Sequence, residues 1–515
     1  MMNRRKLLAV LAGWLTVPGL ASSQSGVSSF SKDSNSFRIG VSVPAYLPEP
    51  SVSEPIIPVP KPLPRDIVPE KPSPAAEIVL PRRVDPKSMA PPAATSCDLQ
   101  WMNRGCSAAD GSCGRGNSLG FGLLANDPRT VAWIVPEYLI WRRSGMHVPA
   151  LVTGSPLGTP AANTGVPGDP STSVLFGNQS MLNGYRSGLR VRAGFWFDNT
   201  QTLGLDASIL FLGQQNAQQT FTSSGDPGLA RPFFDVLRGA PNSETIAFGN
   251  RNAAGMLNPA LTGTILARAT SDLWGADANL RRYLWESGNM RVDGLLGFRY
   301  QLLRDTVDTA SLSTINDNTN EPINLLNGTT LRIHDAFQTT NAFYGGQVGL
   351  AGQWQRDRWA LSLNAKVALG SNERDVRING TTTIGLPVPP PFVLPGRPPI
   401  TLPAPPPLAL RGGLLALPSN SGRHVTNVFS VIPDIGINLG YQLTPNVRVF
   451  GGYSAMYWTH VVRAGDQIDT GLNASQATRS LPPAIPNGPT VRPGFTVKES
   501  GYWANGGNAG IEFRW

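Results

Sequence analysis

Charge is scarce in this chain. Asp, Glu, Lys and Arg make up 15% of its 515 residues, against roughly 25% in ordinary soluble domains, which argues against a coiled coil or a long solvated helix. The net charge of +9 is modest for the length and is spread without a dense Lys/Arg block, so no nucleic-acid partner is expected. Beyond the N-terminal segment no run reaches 18 consecutive apolar residues, which excludes a helical membrane span in the mature chain. Only three cysteines are present, Cys97, Cys106 and Cys113. No histidine lies close enough to complete a zinc pattern, while one disulfide would leave one thiol over. The sequence carries no phosphate-binding loop and no Ser-centred nucleophile elbow. Cofactor and metal sites, and an enzymatic role, are therefore not expected.

Glycine (55) and proline (47) are plentiful. The N-terminus reads as an export signal over 1–23: Arg4, Arg5 and Lys6 precede an apolar stretch from Leu7 to Leu20, and Ala21, Ser22 and Ser23 supply small residues for cleavage. Residues 24–130 read as a disordered, semi-rigid periplasmic leader. Its alternating prolines, Pro55, Pro58, Pro60, Pro62 and Pro64 among them, remove backbone donors and favour extended geometry. Contact of this leader with the cell wall is the functional alternative. A second proline tract, Pro387 to Pro407, is expected to be extended and exposed in an external loop running from about 371 to 427.

From 131 to 515 a period of two recurs. Leu189, Val191, Ala193, Phe195 and Phe197 alternate with Arg186, Gly188, Arg190, Arg192 and Gly194. Ile209 and Phe211 alternate with Asp206 and Ser208. Trp274, Ala276, Ala278 and Leu280 oppose Asp277, Asn279 and Arg281. Phe298 and Tyr300 oppose Asp293, Arg299 and Gln301. Leu361, Leu363, Ala365 and Val367 oppose Ser362, Asn364 and Lys366. Successive strand side chains point to opposite faces, and a membrane barrel needs its apolar set outward. The pattern predicts an all-β, transmembrane, antiparallel up-and-down barrel of about ten strands, or twelve if a loop hides a further hairpin.

Connections agree. Four are tight, at Asp198-Asn199 and a few neighbours, Glu286-Ser287-Gly288-Asn289, Gln355-Arg356-Asp357-Arg358 and Thr444-Pro445-Asn446, and they alternate with connections of about 40 to 55 residues. Outer-membrane barrels have short periplasmic turns and long external loops. Trp133, Tyr138, Trp141, Trp274, Tyr283, Trp285, Trp354, Trp359, Tyr457, Trp458, Trp503 and Trp515 fall near strand ends, as interfacial girdles do. The last strand, ending at Trp515, reads as the signal for the barrel assembly machinery. Outer-membrane lipid is the other expected partner.

Several segments are similar to a known family. Pro136-Glu137-Tyr138-Leu139-Ile140-Trp141 and Gly184-Tyr185-Arg186-Ser187-Gly188-Leu189-Arg190 lie near the start. Gly452-Tyr453-Ser454-Ala455-Met456-Tyr457-Trp458 and Val461-Val462-Arg463-Ala464-Gly465-Asp466-Gln467-Ile468-Asp469 lie near the end. Over about 131–515 the chain resembles the outer-membrane barrel porins numbered beta-barrel porin family seven. The resemblance implies a barrel in the cell outer membrane and little about mechanism.

The expected lumen is charged: Arg186, Arg190, Arg192, Asp206, Asp277, Arg281, Asp293, Arg299 and Lys366 are the candidates, with Arg291, Asp434, Arg448, Glu512 and Arg514 also on the inward face. Two readings stand. One is a narrow passive pore for small solutes, favouring anions through Arg190, Arg192 and Arg299. The other is a salt-bridged, non-conducting barrel that serves to display its loops, since around eight strands an interior is simply filled. A third and weaker reading is a rim hydrolase using His334 beside Asp335, or His460 near Asp466.

Overall fold

The computed structural model describes residues 131–251, 255–317, 326–391, 399, 401–476 and 491–515. The expected signal peptide, the leader up to residue 130 and the three cysteines lie outside the described residues. Ten long strands form the wall: β1 (Ala132–Arg143), β2 (Tyr185–Trp196), β3 (Leu203–Ser223), β4 (Leu257–Ser287), β5 (Met290–Ile315), β6 (Thr330–Arg356), β7 (Trp359–Gly385), β8 (Gly422–Thr444), β9 (Val447–Val462) and β10 (Glu499–Arg514). Each pairs antiparallel with the next. β10 returns to β1, with Tyr138 opposite Ala509 and Trp141 opposite Gly506. Closure leaves no open sheet edge, the condition for strands to sit in hydrocarbon. Ten strands are what the periodicity predicts; the twelve-strand alternative is not realised among the described residues.

The tight turns gather at one end with both ends of the wall, where the Val131 amide donates to the Trp515 carbonyl (2.7 Å). Two-residue connections require left-handed backbone, supplied by Gly288 (φ 57°) and Asp357 (φ 53°). In the β2–β3 turn the Asp198 carboxylate accepts from the Thr202 amide (2.8 Å) and the Thr200 hydroxyl (3.1 Å). The Thr202 hydroxyl and amide lead the bonds that hold its pKa down at about 2.

Outward side chains mark the lipid. Phe211, Trp274, Tyr300 and Tyr344 form a continuous aromatic belt across four strands, with successive centroids 6.3, 5.0 and 5.1 Å apart. Trp354, Trp359 and Tyr441 belong to the opposite girdle, where Trp359 and Tyr441 pack edge to face at 5.0 Å. From Tyr344 to Trp354, at about 3.4 Å per residue along a strand tilted by roughly 40°, the height is about 25 Å, the thickness expected of an apolar belt. Three tryptophans placed by the sequence in the girdles point inward instead: Trp133, Trp141 and Trp458 are 8%, 1% and 0% exposed. Strand β1 carries apolar residues on both faces, so its phase was ambiguous. Trp133 lies flat against Gly194, where a Cβ would come within 2.1 Å of the ring.

Beyond the outer belt the strands continue, and their polarity reverses. In β6, Leu331, Ile333 and Phe337 are buried inside while Arg332 and Gln338 are exposed outside. In β7, Val376, Ile378 and Ile384 are buried and Arg377 is exposed. The wall here stands in water and encloses the external loops, so its apolar residues face in. The extension of β6 rises about 35 Å at the same pitch and tilt. Several long connections are consequently shorter than the sequence suggests: β5 and β6 are joined by 316–329, and β7 and β8 by 386–421. The part of the expected 371–427 loop on either side belongs to strands. The described residues of the proline tract are mostly exposed, as expected.

Candidate functional site: the barrel interior

The interior is built in three layers. Lowest, toward the tight turns, is a charged chamber with a cavity of about 130 Å³. All nine lumen candidates lie on strands whose alternation turns them inward, and eight of them have ionic surroundings that the structure resolves. Arg190 (2.5 Å) and Arg192 (2.6 Å) both pair with Glu137. Arg281 (2.7 Å) and Arg291 (2.9 Å) share Asp293. Arg299 pairs with Asp434 at 2.5 Å, and Lys366 with Asp277 at 3.1 Å. Asp277 also accepts from Ser208 (2.6 Å) and Asn279 (2.7 Å), and Asp206 lies in the field of Arg192. Arg448 and Arg514 share Glu512. The ninth, Arg186, leaves its buried Nε without a partner. Cations over aromatics line the mouth: Arg281 sits 5.5 Å from the Trp133 ring, and Arg291 4.9 Å from that of Trp196. Glu137 was missed by the sequence reading. It is completely buried, on the strand whose two faces look alike, and only the structure sets it opposite Arg190 in the register.

Above the chamber lies an apolar septum. Leu139, Trp141, Leu210, Leu212, Leu273, Leu303, Phe343, Ala368, Ile432, Met456, Trp458, Tyr502 and Ala504 pack into one buried cluster. They come from nine of the ten strands, at positions in phase with the inward charged residues below. Phe343 and Trp458 meet edge to face at 6.2 Å near its middle. Leu139, Leu303, Phe343, Ile432 and Trp458 have no exposed surface.

The third layer is a cap made of the protein's own loops. Strands Val152–Ser155, Ser173–Phe176, Gly228–Asp235, Ala240–Arg251 and Gly471–Leu472 pair with one another. Their apolar residues join those of the wall in a large core, Leu229, Phe233 and Ile246 against Ile333, Phe337 and Val376. Two buried ion pairs tie the cap to the wall. Arg231 pairs with Asp335, each 1% exposed, and Asp335 also accepts from the amides of Leu414 (3.1 Å), Leu415 (3.3 Å) and Ala416 (2.9 Å). Arg463 pairs with Asp305, and its guanidinium stands 5.4 Å from the Tyr502 ring. The segment Val461 to Asp469, singled out in the sequence, is thus the part that turns the last external loop back into the barrel. Within it the pKa of Asp466 is raised from its ordinary value by burial, against the nearby Arg463 and His147.

Neither histidine dyad considered from the sequence is assembled. His334 and Asp335 are adjacent in β6 and point to opposite faces, and Asp335 is committed to Arg231 and the loop amides. His460 is exposed at the β9 bulge with φ 57°, whereas Asp466 is turned inward with Arg463.

Solved structures to which this fold is similar include outer-membrane barrels. Outer membrane protease OmpT from Escherichia coli matches 76% of this chain and 98% of its own at 9% identity and a TM-score of 0.32. A Pseudomonas aeruginosa FadL homologue matches 74% and 90% at 8% identity (TM-score 0.18), and the P. putida toluene transporter TodX 76% and 93% at 9% (TM-score 0.15). No curated protein sequence matches this chain. The model of the family described as Putative beta barrel porin-7 (BBP7) matches residues 133–515, so this outer-membrane β-barrel protein, with its closed wall, belongs to that family.

Proposed function

We propose that the barrel is a closed, non-conducting anchor that holds a folded cap of its own loops at the cell surface. The observation that carries this reading is the septum. A buried, mainly apolar cross-section of Leu, Phe and Trp side chains is a poor path for an ion, and constrictions of this kind stop conduction by excluding water. The paired charges beneath it add to the argument. Arg190, Arg192 and Arg299, the residues through which a narrow passive pore would select anions, each already face a carboxylate. The pore reading would require the septum to part, whereas the anchor reading requires no movement. The cap is packed into one large core with the upper wall, which favours surface display or adhesion over passage. In the same spirit, β10 and the Trp515 that follows it, with Phe513 and Trp515 exposed, form the segment we assign to recognition by the assembly machinery.

Purified protein in planar bilayers tests the proposal. The wild type should give no unitary steps, while F343G combined with W458G should open a path and give them. Steps of a narrow pore from the wild-type barrel would discard the anchor in favour of the pore.

A further inference from the structure

The charged chamber is closed above by the septum and reached from the periplasmic side, where Arg192 and Arg281 keep 24% and 20% of their side chains exposed. Its charge is not balanced. Eight cations from the inward faces (Arg190, Arg192, Arg281, Arg291, Arg299, Lys366, Arg448 and Arg514) meet six carboxylates, Glu137, Asp206, Asp277, Asp293, Asp434 and Glu512. Its hydrogen-bonding capacity is unbalanced in the same direction. Among residues lining the cavity, the buried polar atoms left without a partner are Trp141 Nε1, Arg299 Nη1, Gln353 Nε2, and Nε and Nη1 of Arg448. Every one is an N–H donor; no lining oxygen is in that state. Arg299 and Arg448 are only 4% and 7% exposed, so bulk water reaches neither freely, and a buried guanidinium N–H left unmade is costly.

We propose that this chamber is a binding site for a small oxyanion entering from the periplasm, held by the spare N–H groups of Arg299 and Arg448. An acceptor-rich, negatively charged guest answers both imbalances at once; a cation or a neutral donor answers neither. The cavity of about 130 Å³ is close to the roughly 150 Å³ that holds a benzene molecule, so a phosphate- or sulfate-sized ion fits and a large solute does not. Arginine suits the task because its planar fork can serve a protein carboxylate with one edge and a guest oxygen with the other. The closed-barrel reading enters only in that the septum makes the chamber a dead end, where an ion is retained and not passed on.

Calorimetric titration of the full-length detergent-solubilised protein with inorganic phosphate, at ionic strength held constant with chloride, tests the site. Saturable binding is expected in the wild type. R299K and R448K retain charge toward Asp434 and Glu512 but remove the spare donors, and each should weaken binding about tenfold or more, the order of one charge-assisted hydrogen bond. R377Q, at an exposed position outside the wall, should bind as the wild type does. Heat-dependent gel mobility reports whether each variant is a folded barrel, and two independent variants guard against one that is not. No saturable phosphate binding, or equal affinity in wild type, R299K and R448K, overturns the proposal. Bilayer conductance of the same preparations separates the two readings: a conducting barrel whose phosphate affinity still falls in R299K keeps the site and loses the anchor. A silent barrel that binds no phosphate does the reverse.

Discussion

Replacing Asp335 by alanine should open the cap while leaving the membrane barrel intact. Asp335 and Arg231 are each 1% exposed. The carboxylate draws together three pieces of chain: its own wall strand β6, the cap strand Gly228–Asp235, and the loop that presents the amides of Leu414, Leu415 and Ala416. Removing one partner of a buried pair leaves an uncompensated charge and costs about 3–5 kcal/mol. At about 1.4 kcal/mol per factor of ten, local opening of the cap should become roughly 10²- to 4 × 10³-fold more frequent. The wall's hydrogen-bond ladders and the septum lie elsewhere, so the barrel itself should keep its heat-resistant gel mobility. Hydrogen exchange of the 228–251 and 408–421 segments, together with limited proteolysis, measures the opening. The double replacement R231M/D335L should recover most of the protection, because the stranded cation is gone. Unchanged exchange in D335A, or a double variant as open as the single one, would refute the idea that this pair fastens the cap.

Three other outcomes follow from the same structure. Arginine at Ile437, which is 47% exposed on the lipid face of β8, should destabilise the folded barrel in vesicles by about 2–4 kcal/mol; denaturant unfolding that shows no loss would mean that this face does not meet lipid. The Asp198 carboxyl should titrate near 2, below its unfolded value of 3.8. Since the folded pKa is the depressed one, its contribution to the β2–β3 turn is present above about pH 4 and is lost as pH falls through 2; a carbon-13 carboxyl titration with its midpoint near 4 contradicts this, and T202V should move the midpoint upward. Alanine at both Phe513 and Trp515 should lower the yield of heat-modifiable barrel in the outer membrane, and undiminished yield speaks against the assembly-signal proposal.

The sequence by itself determined the barrel. Alternation is a property of each strand alone, and Leu361, Leu363 and Val367 against Ser362, Asn364 and Lys366 show it without knowledge of any neighbour. Tight turns at Gly288-Asn289, Asp357-Arg358 and Pro445-Asn446 declare themselves by local backbone chemistry, so strand number and direction were legible. What only the tertiary structure decided is what each face meets. The same period runs through β6 from Leu331 to Trp354, but its apolar phase reverses near Phe343, because below that point the outside is lipid and above it the inside is a core of folded loops. For the same reason Glu137 was invisible as the partner of Arg190 and Arg192, and Trp141 and Trp458 were read as girdle residues when they belong to the septum. Period is written along one strand, whereas phase and partnership depend on what the other strands and the returning loops bring to each side of it.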